Sequence, residues 1–132
     1  TEFNRLTPHP VIDMMEMQKK ISGLGGTMRL GSYPCRLTKD AKVFSIYNEE
    51  HISERHRHRF EFNNEYLPLY RDAGFKPVGL NDKDNLVEII ELDQHPWFIG
   101  VQFHPEYKST VARPHPLFVA FVRAAKDFSA GS

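Results

Sequence analysis

Apolar positions recur at intervals of three and four residues in several parts of the chain, and this spacing predicts helices there. The clearest pattern follows Pro116 and comprises Leu117, Phe118, Phe121, Val122, Ala125 and Phe128. A second helix is predicted over Val11–Ile21, with Gly23, Gly25 and Gly26 as its end. A third would begin at a cap on Asp40, and a fourth would run from Asn64 to a stop at Gly74.

Alternating or continuous apolar runs predict the strands. They cover Thr27–Thr38, Glu54–Phe62, Phe75–Leu80, Leu86–Leu92 and Trp97–Phe103. We expect Trp97–Phe103 to be the most buried strand because it is almost entirely apolar. In the first strand, the alternation slips near Gly31, which predicts a bulge, and Pro34 favours an edge or irregular strand. Since strands and helices are interspersed, the predicted fold class is α/β, with a mixed sheet flanked by helices.

Composition and charge exclude several classes of protein. The chain has 132 residues, of which 40% are hydrophobic and 26% charged, as is typical of one globular domain. Its 17 basic and 17 acidic side chains cancel, so no overall positive field would attract nucleic acid or an anionic membrane. The apolar runs are far shorter than the roughly 20 residues that cross a bilayer. The single cysteine, Cys35, excludes an internal disulfide, and its strand-like context favours a structural role.

The first candidate site follows the last predicted strand, where His104, Pro105 and Glu106 are consecutive in the order His-Pro-Glu. Ligands of α/β sheets bind beyond the carboxyl ends of strands. A histidine there can act as a general base, and a nearby carboxylate can hold its tautomer. The same residues are also compatible with a capped strand end, in which the glutamate is solvated and the histidine only hydrogen-bonded.

The second candidate site is the strand Glu54–Phe62. Alternation places its side chains on two faces. One face would carry Arg55, Arg57, Arg59 and Glu61, and the other His56, His58, Phe60 and Phe62. One guanidinium could bind a substrate carboxylate in a bidentate manner. The two histidines could instead bind a metal, although no third ligand is indicated. A structural strand with salt bridges also fits.

Two further features complete the candidate chemistry. The run Gly25–Gly31 could form a backbone cradle for an anion or a tight turn into a strand. No Gly-X-Ser-X-Gly or Gly-X-Cys-X-Gly elbow occurs, so the sequence contains a candidate base without a recognisable nucleophile.

Several runs, taken together and in this order, resemble the CTP synthase family of class I glutamine amidotransferases. They are Thr7–Ile12, Gly25–Gly31, Glu54–Glu61, Leu86–Glu91, Val101–Glu106 and His115–Phe118. The resemblance extends over essentially the whole chain. It implies that residues 1–132 form the C-terminal part of a flavodoxin-like amidotransferase domain. It also implies that the nucleophile half and the synthase domain belong to sequence upstream of residue 1.

The resemblance implies a role for four residues. His104 would activate a cysteine nucleophile, and Glu106 would orient His104. Arg59 would hold the α-carboxylate of L-glutamine, with the backbone of Phe60 contributing. No metal ligand is implied, and this segment alone is expected to be inactive because the nucleophile is missing.

For the whole enzyme, the resemblance implies the amination of UTP to CTP with ammonia from glutamine. ATP and magnesium would drive the reaction and GTP would activate it, although this segment is expected to bind no cofactor itself. The expected partners are the synthase domain and further copies in a tetramer, in the cytoplasm, with no nucleic acid or membrane. The alternative is a catalytically silent binding or regulatory module on the amidotransferase scaffold.

Overall fold

The computed structural model describes residues 3–4, 6–14 and 28–131. The strands are β1 Ile12–Met14, β2 Arg29–Leu37, β3 His51–His58, β4 Phe60–Phe62, β5 Phe75–Asn81, β6 Leu86–Leu92 and β7 Ile99–Val101. The α-helices are α1 Lys42–Tyr47, α2 Leu67–Asp72 and α3 Pro116–Ala130, and 3-10 turns cover Asn64–Tyr66 and Pro105–Lys108. In the described part of the chain, no helix has both the length and the apolar character needed to span a bilayer.

The larger sheet has five strands in the order β3-β2-β5-β6-β7, and β1 pairs with β4 in a separate two-stranded sheet. Each strand pair within the described residues is antiparallel. Buried apolar side chains form a core with α1 and the start of α3, and they comprise Cys35, Leu37, Ala41, Val43, Ile52, Val78, Ile89, Phe103 and Leu117. Burial raises the pKa of Cys35 to about 12, so this thiol is an unreactive core group, as predicted.

The predicted helix Val11–Ile21 is wrong at its start. Ile12–Met14 form β1, which pairs with Phe60–Phe62 of β4. A three-residue strand is too short for its periodicity to be distinguished from that of a helix, so the pairing with a distant segment decides its structure. The rest of this prediction, residues 15–21 and the glycines Gly23, Gly25 and Gly26, lies outside the described residues.

The predicted cap of α1 is also wrong. Asp40 does not cap the helix: its N-cap is Ala41, whose side chain makes no capping bond. The Glu91 carboxylate on β6 accepts hydrogen bonds from the backbone N–H groups of Lys42, at 3.1 Å, and Val43, at 2.7 Å. A carboxylate at a helix N-terminus satisfies orphan donors and interacts favourably with the helix dipole.

The strand predicted over Glu54–Phe62 is divided at Arg59. β3 ends at His58 and belongs to the larger sheet, whereas β4 begins at Phe60 and pairs with β1. The alternation therefore changes at the break, and Glu61 is buried instead of sharing the exposed face of Arg55 and Arg57. The predicted face of Glu61 was wrong for this reason.

Two details of the remaining strands differ from expectation. The predicted strand Trp97–Phe103 is reduced to β7, which lies at the sheet edge with half-buried residues, because only β6 pairs with it. Gly31 has a φ of +106° but pairs with His56 without a register shift, so the predicted bulge is absent. β2 is not the predicted edge strand, because it lies between β3 and β5; Pro34 is tolerated because it lies in the part of β2 that pairs with β3 alone.

Candidate active site

His104 and Glu106 lie together where the chain leaves β7. His104 is the N-cap of the turn Pro105–Lys108, and its Nδ1 lies 2.7 Å from Oε1 of Glu106. This hydrogen bond lowers the pKa of the Glu106 carboxyl below its usual range, so Glu106 is ionised at neutral pH. A carboxylate only accepts, and the Nδ1 atom of His104 therefore carries the proton. In the neutral ring, Nε2 holds the lone pair and is the nitrogen that can act as a base.

The turn that carries this pair is attached to β3. The backbone N–H of His104 donates to the carbonyl of Arg55 at 2.8 Å, and Lys108 Nζ donates to the carbonyl of Ser53 at 2.6 Å. The ring of Tyr107 stacks on His104 with centroids 5.1 Å apart. These contacts hold the imidazole in place, although 37% of its side chain is exposed to solvent.

Arg59 and Phe60 lie at the break between β3 and β4. Arg59 is exposed, and no ion pair involves its guanidinium within the described ranges. Phe60 is half-buried and its carbonyl oxygen lies 3.0 Å from Nδ1 of His58. Burial is the main cause of the lowered pKa of His58, with smaller lowering by Arg29 and His104, so His104 lies within electrostatic range of the residue next to Arg59. That His104 and Arg59 face one cleft stays a prediction.

A buried polar cluster includes residues on both sides of the break at Arg59 and was not predicted from the sequence. It comprises the buried residues Arg29, His56, Glu61 and Glu88 and the half-buried His58. Arg29 Nη1 lies 2.5 Å from Oε1 of Glu88 and 3.4 Å from Oε1 of Glu61. Burial raises the pKa of Glu61 to about 7 and also raises that of Glu88. The feature of the sequence that could have indicated this cluster is Glu88, a charged residue in the middle of an apolar strand.

A second buried polar group connects β3 to the helices. Oε1 of Glu54 accepts from Nε2 of His115 at 3.0 Å and from the hydroxyl of Tyr47 at 3.1 Å. The backbone N–H of Leu117 donates to Nδ1 of His115, so the proton of this ring is on Nε2. These bonds join β3 to α1 and to the first turn of α3.

The two histidines of β3 contact each other. Nδ1 of His56 and Nε2 of His58 are 2.7 Å apart, which is a hydrogen-bond distance. Two nitrogens bound to one metal ion at about 2.0–2.1 Å each would lie farther apart in tetrahedral geometry. Across the residues that the structure covers, no group of three or more metal-ligating side chains is present.

The comparisons with known proteins agree with the resemblance found in the sequence. Residues 9–124 match the family glutamine amidotransferase class-I. The CTP synthase of Cytophaga hutchinsonii is 59% identical over 99% of this chain and 24% of its own length. That of Bacteroides thetaiotaomicron is 61% identical over 94% of this chain and 23% of its own length.

A solved structure gives the same result for the fold. It is described as Trypanosoma brucei CTPS, glutaminase domain with bound acivicin, and it matches with a TM-score of 0.85 and 32% sequence identity. The match covers 96% of this chain and 49% of that chain. The predicted fold class, that of a class I glutamine amidotransferase domain, is thus confirmed, with antiparallel pairing between the strands that the structure describes. The chain spans about a quarter of the length of the curated relatives and about half of this solved structure.

Proposed function

The chain belongs to the glutamine amidotransferase class-I family, and from this premise we propose that it supplies the acid–base residues of the glutaminase site of a CTP synthase. The observation that carries the proposal is the hydrogen bond of 2.7 Å between His104 and Glu106. It leaves Nε2 of His104 as the basic nitrogen at an exposed turn, next to a strand that presents arginines.

In the proposed reaction, Nε2 of His104 accepts the proton of a cysteine thiol supplied by residues outside this chain. The thiolate attacks the side-chain amide carbon of L-glutamine, and the protonated imidazole then gives its proton to the leaving ammonia. A glutamyl thioester remains, and His104 deprotonates the water that attacks it; the bond between carbon and sulfur breaks, glutamate is released, and the imidazolium returns its proton to the cysteine thiolate. Glu106 stabilises the imidazolium in both halves of the cycle. Cys35 is not this nucleophile, since it is buried and its pKa is raised to about 12.

Substrate binding is assigned to Arg59 and Phe60. An exposed guanidinium without an ion pair in the described structure suits a bidentate contact with the glutamine α-carboxylate. Phe60 would contribute through its backbone, because its polar atoms are those of the main chain. Both assignments rest on the resemblance of the Arg-rich run to the family.

The remaining parts of the proposal concern the whole protein. The ammonia would pass to a synthase domain that aminates UTP with ATP and magnesium, with GTP as activator of glutamine hydrolysis. We place the ATP, magnesium and GTP sites outside these residues. A homo-oligomeric, cytoplasmic enzyme belongs to the same proposal.

The test is the substitution His104→Ala in the full-length protein. We expect glutamine hydrolysis to fall by about 100- to 10,000-fold, the range typical of a lost general base. CTP formation from added ammonium should remain near the parent level, which controls for folding. A variant with glutaminase activity within a few-fold of the parent would overturn the role of His104. A parent protein without glutaminase activity would instead favour the silent module.

A further inference from the structure

A chain of hydrogen bonds runs from the buried cluster to the backbone beside Arg59. Nδ1 of His56 lies 2.7 Å from Nε2 of His58, and Nδ1 of His58 lies 3.0 Å from the carbonyl oxygen of Phe60. The His58 side chain thus contacts the backbone on the far side of Arg59, the one residue between the ends of β3 and β4. His56 is 1% exposed, and 14% of the His58 side chain is exposed.

The chemistry of these groups fixes where the protons lie. A carbonyl oxygen only accepts, so Nδ1 of His58 carries a proton. Burial lowers the pKa of His58 and lowers that of His56 to about 3, and both rings are neutral at physiological pH. Nε2 of His58 therefore holds a lone pair and accepts from Nδ1–H of His56. The donor direction is from His56 to His58 to Phe60.

The surroundings hold both rings in this arrangement. Oε2 of Glu88 lies 3.7 Å from Nδ1 of His56, and Oε1 of Glu61 lies 3.4 Å from Nδ1 of His58. The rings of Tyr33 and Phe103 contact His56 edge-on. The His58 ring is hydrogen-bonded on both nitrogens, whereas His56 is bonded through Nδ1 and held by its packing. His58 therefore has little freedom to rotate, and the Phe60 carbonyl has a rigid donor.

We propose that His58 is a positioning residue for glutamine binding: its Nδ1–H holds the carbonyl of Phe60 and so fixes the backbone on both sides of Arg59. This inference rests on the proposed function, in which Arg59 and the Phe60 backbone bind the substrate. Arg59 is a single residue between strands of two different sheets. Its backbone needs such support, because groups that bind a substrate must be held to within a fraction of an ångström. Loss of the hydrogen bond from His58 to Phe60 should therefore weaken the binding of glutamine more than it slows the chemical step.

The experiment uses three substitutions of His58 in the full-length protein. Asn and Leu have nearly the same shape, but only Asn has an amide N–H close to the position of Nδ1. Neither has an acceptor at the position of Nε2, the atom that contacts His56, so the comparison between them isolates the bond to Phe60. His58→Gln is the third variant: it keeps a polar side chain but moves the amide away from the δ position. Each is assayed for kcat and KM with glutamine and for ammonium-dependent CTP formation.

We expect His58→Leu and His58→Gln to raise the KM for glutamine about tenfold and to change kcat less than about threefold. His58→Asn should stay within about threefold of the parent KM. Ammonium-dependent activity should be unchanged in all three. If His58→Leu does not fold, the comparison of Gln with Asn gives the same answer.

Equal KM values for the Asn variant and for the variants without a δ donor, in an enzyme that hydrolyses glutamine, would overturn this inference alone. A loss confined to kcat would also overturn it. A parent protein that does not hydrolyse glutamine would overturn the proposed function as well, so the two failures are distinguishable.

Discussion

At the scale of single residues, the partners of each histidine decide what it can do. Glu106 holds the proton of His104 on Nδ1 and leaves Nε2 as a base at a turn with 37% side-chain exposure. In His115 the proton is on Nε2 and is donated to the buried Glu54. With both nitrogens engaged inside the protein, His115 joins elements of the fold, whereas His104 has one nitrogen available for chemistry.

The first prediction at this scale concerns Glu106→Gln. The amide oxygen can still accept from Nδ1 of His104, but the negative charge that stabilises the imidazolium is lost. We expect kcat for glutamine hydrolysis in the full-length protein to fall by about 10- to 100-fold, with KM little changed. Steady-state assays of ammonia release measure this. Glu65→Gln, at an exposed glutamate of the turn Asn64–Tyr66, is the control and should match the parent. A Glu106→Gln enzyme with full kcat would contradict the assignment.

The candidate site could be predicted from the sequence only where its residues are neighbours along the chain. His104 and Glu106 are two residues apart, and their contact follows from the local turn. Arg29 and Glu88 are 59 residues apart, so only the sheet brings them together. The burial of Glu61 could not be predicted either, because the alternation gives no sign that the strand breaks at Arg59.

At the scale of secondary-structure elements, the cap of α1 shows how a distant strand completes a helix. Glu91 is 6% exposed and accepts from two backbone N–H groups at the helix start. Its partners Lys42 and Val43 are 49 and 48 residues away, and local capping rules therefore pointed to Asp40 instead. Elements with long apolar patterns, such as β6 and α3, have the predicted positions because their periodicity is unambiguous.

The second prediction tests this cap with Glu91→Ala and its matched control Asp40→Ala. Removing the Glu91 carboxylate leaves two donors at the start of α1 without an acceptor. The loss of a cap typically lowers the free energy of unfolding by about 1–2 kcal/mol. Asp40→Ala should change it by less than about 0.5 kcal/mol, as for an exposed side chain without a capping bond. Denaturant unfolding followed by circular dichroism makes the comparison, and equal effects would contradict the capping role.

At the scale of the whole molecule, the formal net charge is zero, but the buried charges are not balanced. Buried carboxyl groups belong to Glu54, Glu61, Glu88 and Glu91, whereas Arg29 is the buried residue with a permanent positive charge among those described. The single guanidinium of Arg29, between Glu61 and Glu88, cannot offset the free-energy cost of burying two ionised carboxylates. The structure therefore favours a proton on one of the two, which agrees with the raised pKa of each.

This imbalance predicts a pH dependence of stability. The pKa of Glu61 rises from 4.5 to about 7 on folding, chiefly through burial, so the folded state binds the proton more tightly than the unfolded state. The contribution of Glu61 to the free energy of unfolding is fully present below about pH 4.5 and is lost as the pH rises through about 7. The pKa values of His56 and His58 are lowered in the folded state, so these two residues decrease the free energy of unfolding as the pH falls below about 6.5.

The substitution Glu61→Gln separates these effects, because the histidine contributions are common to both proteins and largely cancel in the difference. Gln resembles the protonated acid and does not ionise. Relative to the parent, we expect the free energy of unfolding of Glu61→Gln to increase by on the order of 2 kcal/mol between pH 5 and pH 8. Denaturant unfolding at both pH values measures the difference, with Glu65→Gln as the exposed control. A difference that is the same at pH 5 and pH 8 would mean that Glu61 stays ionised throughout, and that Arg29 compensates both carboxylates after all.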